Sequence, residues 1–114
     1  MNTLKIGSTS NASAAAGAVA NTIREEGIAE LQAIGPKAVN QAVKSIAIAR
    51  GYVAPSGLDL FFVPSFVDVE IGGETKTALR FTVRSRTPVT SLRPRTRKGT
   101  TKEEIAPEQN WEDI

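Results

Sequence analysis

The side chains that could carry chemistry here are carboxylates, lysines, arginines and hydroxyls, because the 114 residues include no cysteine and no histidine. Their absence excludes disulfides, thiolate chemistry, Cys/His zinc sites, haem ligation by histidine and a Ser-His-Asp triad. Asp59, Asp68 and Glu70 lie in or near predicted strands, and Asp68 and Glu70 share a strand face. A magnesium or acid–base site would need a second group to converge on them in a cleft. We therefore predict that the chain is not an enzyme and uses no metal, cofactor or small-molecule substrate.

The basic and acidic residues are separated along the second part of the chain. Residues 86–102 contain six basic side chains and no acidic one, whereas residues 103–114 contain five acidic side chains and no basic one. A basic tract attracts polyanions, and the acidic block beside it can compete for them. Trp111, within the acidic block, could belong to a short docking motif.

Apolar periodicity predicts the element order β-α-β-α-β-β. The capping residues Asn11 or Ser13 begin the first helix, and Gly27 and Gly51 each end a helix in the C′ position. Gly72-Gly73 predicts a tight hairpin between the last two strands. We expect strands over 3–7, 28–34, 58–71 (bent at residues 64–65) and 74–84, and helices over 14–26 and from 36 to about 50.

This order predicts an α+β sandwich of two layers, with a mixed four-stranded sheet whose first two strands are parallel and joined by a right-handed crossover. Both helices cover one face of the sheet, and the other face stays open. In the second helix, Val39, Ala42, Val43 and Ile46 follow the spacing of a buried stripe. Residues 1–85 form this domain, and residues 86–114 form a tail predicted to be disordered.

Cations on the open face and in the tail are the predicted nucleic-acid-binding residues, since phosphate contacts need lysine or arginine. Glu30 shares that face and weakens its field. The alternatives are a solvated face with scattered charge and a tail that only improves solubility. The predicted set is Lys5, Lys76, Arg80, Arg84, Arg93, Arg95, Arg97 and Lys98.

Two further predictions concern the helices. On the second helix, Gln41, Lys44 and Ile48 form a predicted dimer interface, because Ile48 is too apolar for a surface that meets only water. The starts of both helices could bind anions through free N–H groups, but ordinary capping explains these residues better.

The run from Gln32 to Gly57 (QAIGPKAVNQAVKSIAIARGYVAPSG), together with Leu4-Lys5-Ile6 and the segment 59–71, resembles the stage V sporulation protein S family. The resemblance covers residues 3–85, and the tail is an addition. It implies an Alba-like fold, a dimer and a nucleic-acid-binding role in spore development. The loop at residues 8–13 lacks the lysines that archaeal Alba chromatin proteins place there, so tight binding of chromatin-type duplex is not expected.

The first residues contain no signal-peptide core, and no apolar run approaches the roughly 20 residues of a membrane span, so we expect a cytoplasmic protein without membrane contact. The predicted function is that of a dimeric, non-enzymatic, nucleic-acid-binding regulator in bacterial development or gene regulation. The alternative is a structural or adaptor protein that self-assembles or docks a protein partner through its second helix and tail. The alternative draws support from residues 1–85, whose eight basic and seven acidic side chains are unusual for a dedicated DNA binder.

Overall fold

The computed structural model describes residues 2–86, which form the predicted sequence of strands and helices. The elements are β1 (Thr3–Ile6), α1 (Ala12–Glu26), β2 (Ile28–Ala33), α2 (Pro36–Val53), a 3₁₀ turn (Ala54–Ser56), β3 (Leu60–Ile71) and β4 (Glu74–Ser85). The strands form one sheet in the order β1-β2-β4-β3, in which β1 and β2 are parallel and the other pairs are antiparallel. The mixed four-stranded α+β fold is therefore confirmed. The predicted tail lies, apart from Arg86, outside the described residues.

Local capping defines α1. The Asn11 side-chain oxygen accepts a hydrogen bond from the Ala14 N–H at 2.9 Å, which satisfies one of the unpaired donors of the first turn. At the other end, Gly27 adopts a left-handed φ of 80°, and its N–H donates to the Ile23 carbonyl at 2.9 Å. The helix thus ends as predicted and begins two residues earlier than expected, at Ala12.

The core lies between the helices and the sheet. Val19 and Ile23 of α1, Leu31 of β2, Val53 of α2 and Val83 of β4 are fully buried there. Burial of each such side chain contributes roughly 1.5–3 kcal/mol. Neither helix within residues 2–86 has the length and apolar character needed to cross a membrane.

The prediction that α2 ends at Gly51 is wrong, because the helix continues to Val53. Gly51 is an exposed helical position, and the left-handed residue that redirects the chain is Gly57, with a φ of 86°. Val53 is completely buried, so packing of the last turn against the core extends the helix beyond the glycine.

Gly51→Ala is expected to stabilise the fold by roughly 0.5–1 kcal/mol, because alanine is the better residue inside a helix. A Cβ at this position meets no heavy atom within 4 Å. The free energy of unfolding, measured by denaturant titration, checks this. Gly57→Ala is the matched control and should destabilise, since its left-handed backbone disfavours a side chain. A loss of stability in the Gly51 variant would contradict the helical assignment.

The buried side of α2 also differs from the predicted stripe. Val43 is 39% exposed, whereas Ala38, Ser45 and Ala49 are buried. The Ser45 hydroxyl donates to the Gln41 carbonyl at 2.7 Å, so its polar atom is satisfied within the core. Four of the six buried residues of α2 are thus alanine or serine, and one valine of the predicted stripe is left facing solvent.

The last two strands form a long hairpin closed by Gly72 and Gly73, whose φ values of 60° and 82° confirm the predicted tight turn. The bend or bulge expected at Pro64-Ser65 does not interrupt the pairing, since β3 pairs with β4 residue by residue from Leu60 to Ile71. A proline is tolerated there because β3 is an edge strand. Continuous pairing fixes which side chains of β3 face away from the helices.

Candidate nucleic-acid interface

The cross-strand register places the predicted cations of the domain on the face of the sheet opposite the helices. Lys5 of β1 lies opposite Gln32 of β2, and Gln32 lies opposite Arg80 of β4. Residues two or four positions apart on a strand share a face, so Lys76 and Arg84 join Arg80. We call this surface the open sheet face; it comprises Lys5, Glu30, Gln32, Glu74, Lys76, Arg80, Thr82 and Arg84 together with Phe61, Val63, Ser65, Val67 and Val69 of β3.

Two of these cations are paired with carboxylates of the same face. Arg80 Nη1 lies 3.3 Å from Glu30 Oε2, and the Glu30 side chain is only 16% exposed. The Arg80 guanidinium also donates from Nε to Ser65 Oγ at 3.5 Å, which fixes its orientation. Lys76 Nζ lies 3.9 Å from Glu74 Oε1, a looser and more exposed pair. Surface pairs of the latter kind contribute little to stability and open easily.

Lys5 and Arg84 are exposed, and neither takes part in an ion pair within residues 2–86. The two side chains are separated by about 10 Å across the sheet (two strand spacings) and about 13 Å along it (four residues). They are therefore the charges most available to an anionic ligand, and they are too far apart for a single phosphate.

Apolar side chains accompany the cations on the open sheet face. Phe61 lies directly opposite Arg84, and Val63, which is 55% exposed, lies opposite Thr82. The Arg86 guanidinium carbon lies 5.5 Å from the centre of the Phe61 ring, which is cation–π distance. Phe61, a member of this surface, and Arg86 beside it were not predicted from the sequence. Alternation through Pro64 would have revealed Phe61 if the strand had been taken as continuous.

The family model for stage V sporulation protein S matches residues 2–86. The chain belongs to the stage V sporulation protein S family. The match covers every helix and strand described above, so the open sheet face lies entirely within the family domain. The resemblance inferred from residues 32–57 is thereby confirmed, and the chain is a sporulation-related protein.

Two of the three carboxylates considered for chemistry, Asp59 and Asp68, have partners within this family domain. Asp59 accepts hydrogen bonds from Arg50 Nε at 2.8 Å and lies 3.2 Å from Arg86 Nε, so it links the end of α2 to the end of β4. Asp68 lies opposite Thr77, whose hydroxyl is 3.4 Å from it, on the side of the hairpin that faces away from the cations. Within residues 2–86, no three Asp or Glu side chains are grouped so that they could hold a metal ion.

The predicted dimer-interface residues lie along one flank of α2. Gln41 Nε2 donates to the Ser10 carbonyl at 2.8 Å and thereby joins α2 to the loop before α1. Ile48 is partly buried against the core, and Lys44 is exposed. Their role as an interface stays a prediction. The structure shows that two of the three also have partners within their own chain.

The opposite flank of α2 borders a shallow apolar groove with a volume of about 360 Å³. Phe66 of β3 forms one wall and is 76% exposed, which is the largest value among the large apolar side chains of residues 2–86. Val43 lies one helical turn beyond the groove residue Val39. We call this feature the Phe66 groove; it is lined by Ala33, Gly35, Pro36, Val39, Phe66, Thr77, Ala78 and Leu79.

Proposed function

We propose that this member of the stage V sporulation protein S family is a non-enzymatic regulatory protein that binds nucleic acid on its open sheet face in the cytoplasm. The observation that supports this most is the pair of exposed cations, Lys5 and Arg84, on a face whose other two cations already have carboxylate partners. Four cations against Glu30 and Glu74 leave this face with an excess of positive charge. A polyanion is the ligand that such an excess favours.

The spacing of the site suggests how a nucleic acid would lie on it. Lys5 and Arg84 would contact phosphates that are not adjacent, because they are separated by about 10 Å across and about 13 Å along the sheet. Phe61 and Val63 would offer an apolar surface to bases beside those contacts. A ligand of several nucleotides is therefore required, and a mononucleotide should bind poorly.

Fluorescence anisotropy with labelled single-stranded RNA, single-stranded DNA and duplex DNA tests this proposal across a series of salt concentrations. We expect affinity to fall as salt rises, with a slope of log affinity on log salt of about 0.7 for each phosphate contact on a single strand and about 0.9 on a duplex. The relative affinities of the three probes identify the preferred ligand. Absence of salt-dependent binding to any probe at low ionic strength would overturn the proposal.

Self-association is the second candidate property, and the Phe66 groove supports it. A phenylalanine that is 76% exposed beside an apolar groove is typical of an interaction surface rather than of an isolated side chain. The groove lining contains no charged residue, and Val43 extends this uncharged surface along α2. We propose a second copy of the chain as the occupant, because a two-fold contact would set two uncharged surfaces together without opposing like charges.

This dimer surface differs from the one predicted on Gln41, Lys44 and Ile48, which lies on the other flank of α2. A dimer formed through the Phe66 groove would leave the open sheet face of both copies accessible, because Phe66 and Arg84 lie on opposite faces of the β3–β4 hairpin. Two sites in one assembly would then bind a long polyanion more tightly than either site alone. Self-association and nucleic-acid binding are therefore compatible in this geometry.

A further inference from the structure

The open sheet face has more apolar character than phosphate contacts alone require. Val63 is 55% exposed on the edge strand, next to the cations of β4, and Phe61 presents part of its ring beside Arg84. A surface that combines separated cations with exposed apolar carbon matches a ligand that combines anions with apolar or aromatic groups.

The chain itself contains a segment with that chemistry. Residues 103–114 carry five acidic side chains and no basic one, and they include Ile105, Ile114 and Trp111, the only tryptophan of the protein. This acidic segment lies outside the described residues. Its charge is opposite to that of the open sheet face, and its apolar residues are of the kind that Phe61 and Val63 could contact.

The chain leaves the described domain beside the open sheet face. The Arg86 N–H donates to the Asp59 carbonyl at 2.8 Å, and its guanidinium lies over Phe61. Residues 87–102 separate this point from the acidic segment. Sixteen residues can span about 50 Å, whereas four strands are about 15–20 Å wide, so the segment reaches every position on the face.

We infer that the acidic segment 103–114 docks on the open sheet face of its own chain, with carboxylates near Lys5 and Arg84 and Trp111 against Phe61 and Val63. A tethered ligand of this kind has an effective concentration in the millimolar range, so even weak contacts would populate the docked state. Given the nucleic-acid binding proposed above, the segment would compete with nucleic acid for the same cations and lower its apparent affinity. The docking itself does not depend on that function.

Fluorescence of Trp111 in the full-length chain tests the docking without any nucleic acid, under excitation that spares Tyr52. At low ionic strength we expect blue-shifted emission and weaker quenching by acrylamide than in a synthetic peptide of residues 103–114. Both should approach the peptide values at about 1 M salt, where the Debye length is about 3 Å. Arg84→Glu or Val63→Asp should produce the same change at low salt, and Lys37→Glu on an exposed position of α2 is the matched control without effect. Peptide-like emission of the unmodified chain at low salt would overturn the inference.

Three further measurements test whether the carboxylates of the segment are needed, whether it docks on a second copy, and whether it docks in the Phe66 groove instead. Replacing Glu103, Glu104 and Glu108 with glutamine should release Trp111 while leaving every described residue unchanged. Emission that depends on protein concentration would show docking between copies and overturn docking within one chain. If Phe66→Asp gives peptide-like Trp111 emission and Val63→Asp leaves the emission unchanged, the segment docks in the Phe66 groove. That result would also overturn the inference.

Added oligonucleotide distinguishes failure of the docking from failure of the proposed function. If docking and competition are both correct, the oligonucleotide binds and shifts Trp111 to peptide-like emission, and the triple glutamine variant binds it more tightly. If no oligonucleotide binds while Trp111 is protected in buffer, the docking stands and the proposed function fails. An oligonucleotide that binds without releasing Trp111 would show that the acidic segment and nucleic acid do not compete for the same cations.

Discussion

Replacement of both Lys5 and Arg84 with glutamate is expected to weaken nucleic-acid binding on the order of 100-fold at low salt, through the loss of two phosphate contacts and the repulsion that replaces them. The slope of log affinity on log salt should fall by about 1.4 on a single strand, or about 1.8 on a duplex. Both side chains are exposed, and neither has an ion-pair partner within residues 2–86, so the fold should be unchanged. Anisotropy titrations at several salt concentrations measure the effect.

The matched control for this variant is the double replacement of Lys37 and Lys44 with glutamate, which makes the same change in net charge on exposed positions of α2. Equal weakening by both double variants would show that net charge, and not the open sheet face, determines the affinity. Glu30→Gln should act in the opposite direction, because it removes the charge opposed to Arg80 while retaining an oxygen that can accept its hydrogen bond. A decrease in affinity for Glu30→Gln would contradict the proposed orientation of the ligand.

Phe66→Asp is expected to convert a dimer of about 24 kDa into the 12.1 kDa monomer in light scattering coupled to size-exclusion chromatography. The carboxylate would have to lose its water within an apolar contact, which is costly unless it finds a partner. Because Phe66 is 76% exposed in the single chain, the isolated fold should tolerate the change. Circular dichroism of the variant checks that the secondary structure is retained.

Val63→Asp provides the control for this experiment, since Val63 is also an exposed apolar residue of β3 but lies on the opposite face of the strand. The Val63→Asp variant should remain a dimer, with the same mass as the unmodified protein. Lys44→Glu tests the alternative interface on the other flank of α2, and it avoids disturbing Ile48, which packs against the core. A monomeric wild-type chain, or a dimeric Phe66→Asp variant, would exclude the Phe66 groove as the dimer surface.

The features predicted correctly are those whose determinants lie within a few residues of one another. Asn11 caps the helix that follows it, and Gly72-Gly73 closes the hairpin between its two flanking strands. The end of α2 was missed because it depends on the burial of Val53 by residues distant in sequence. The tendency of glycine to end a helix contributes less free energy than the burial of such a side chain.

In the candidate site, too, the features set by neighbouring residues were predicted and those set by distant residues were not. Alternation along β4 predicts that Lys76, Arg80 and Arg84 share a face, and the register confirms it. The pairing of Arg80 with Glu30 depends on the register between β2 and β4, which the sequence does not specify. Phe61 was missed for a related reason, since the bend expected at Pro64 interrupts the alternation that relates it to the rest of β3.

The two outer strands of the sheet restrict how copies of this chain can associate. β1 is only four residues long, and β3 carries a proline in its middle, so neither border offers a long, regular row of backbone donors to another strand. Strand-by-strand growth into fibres is therefore disfavoured. We therefore expect copies of the chain to associate through side-chain surfaces, which can close at a defined number of copies, rather than through open-ended addition of strands.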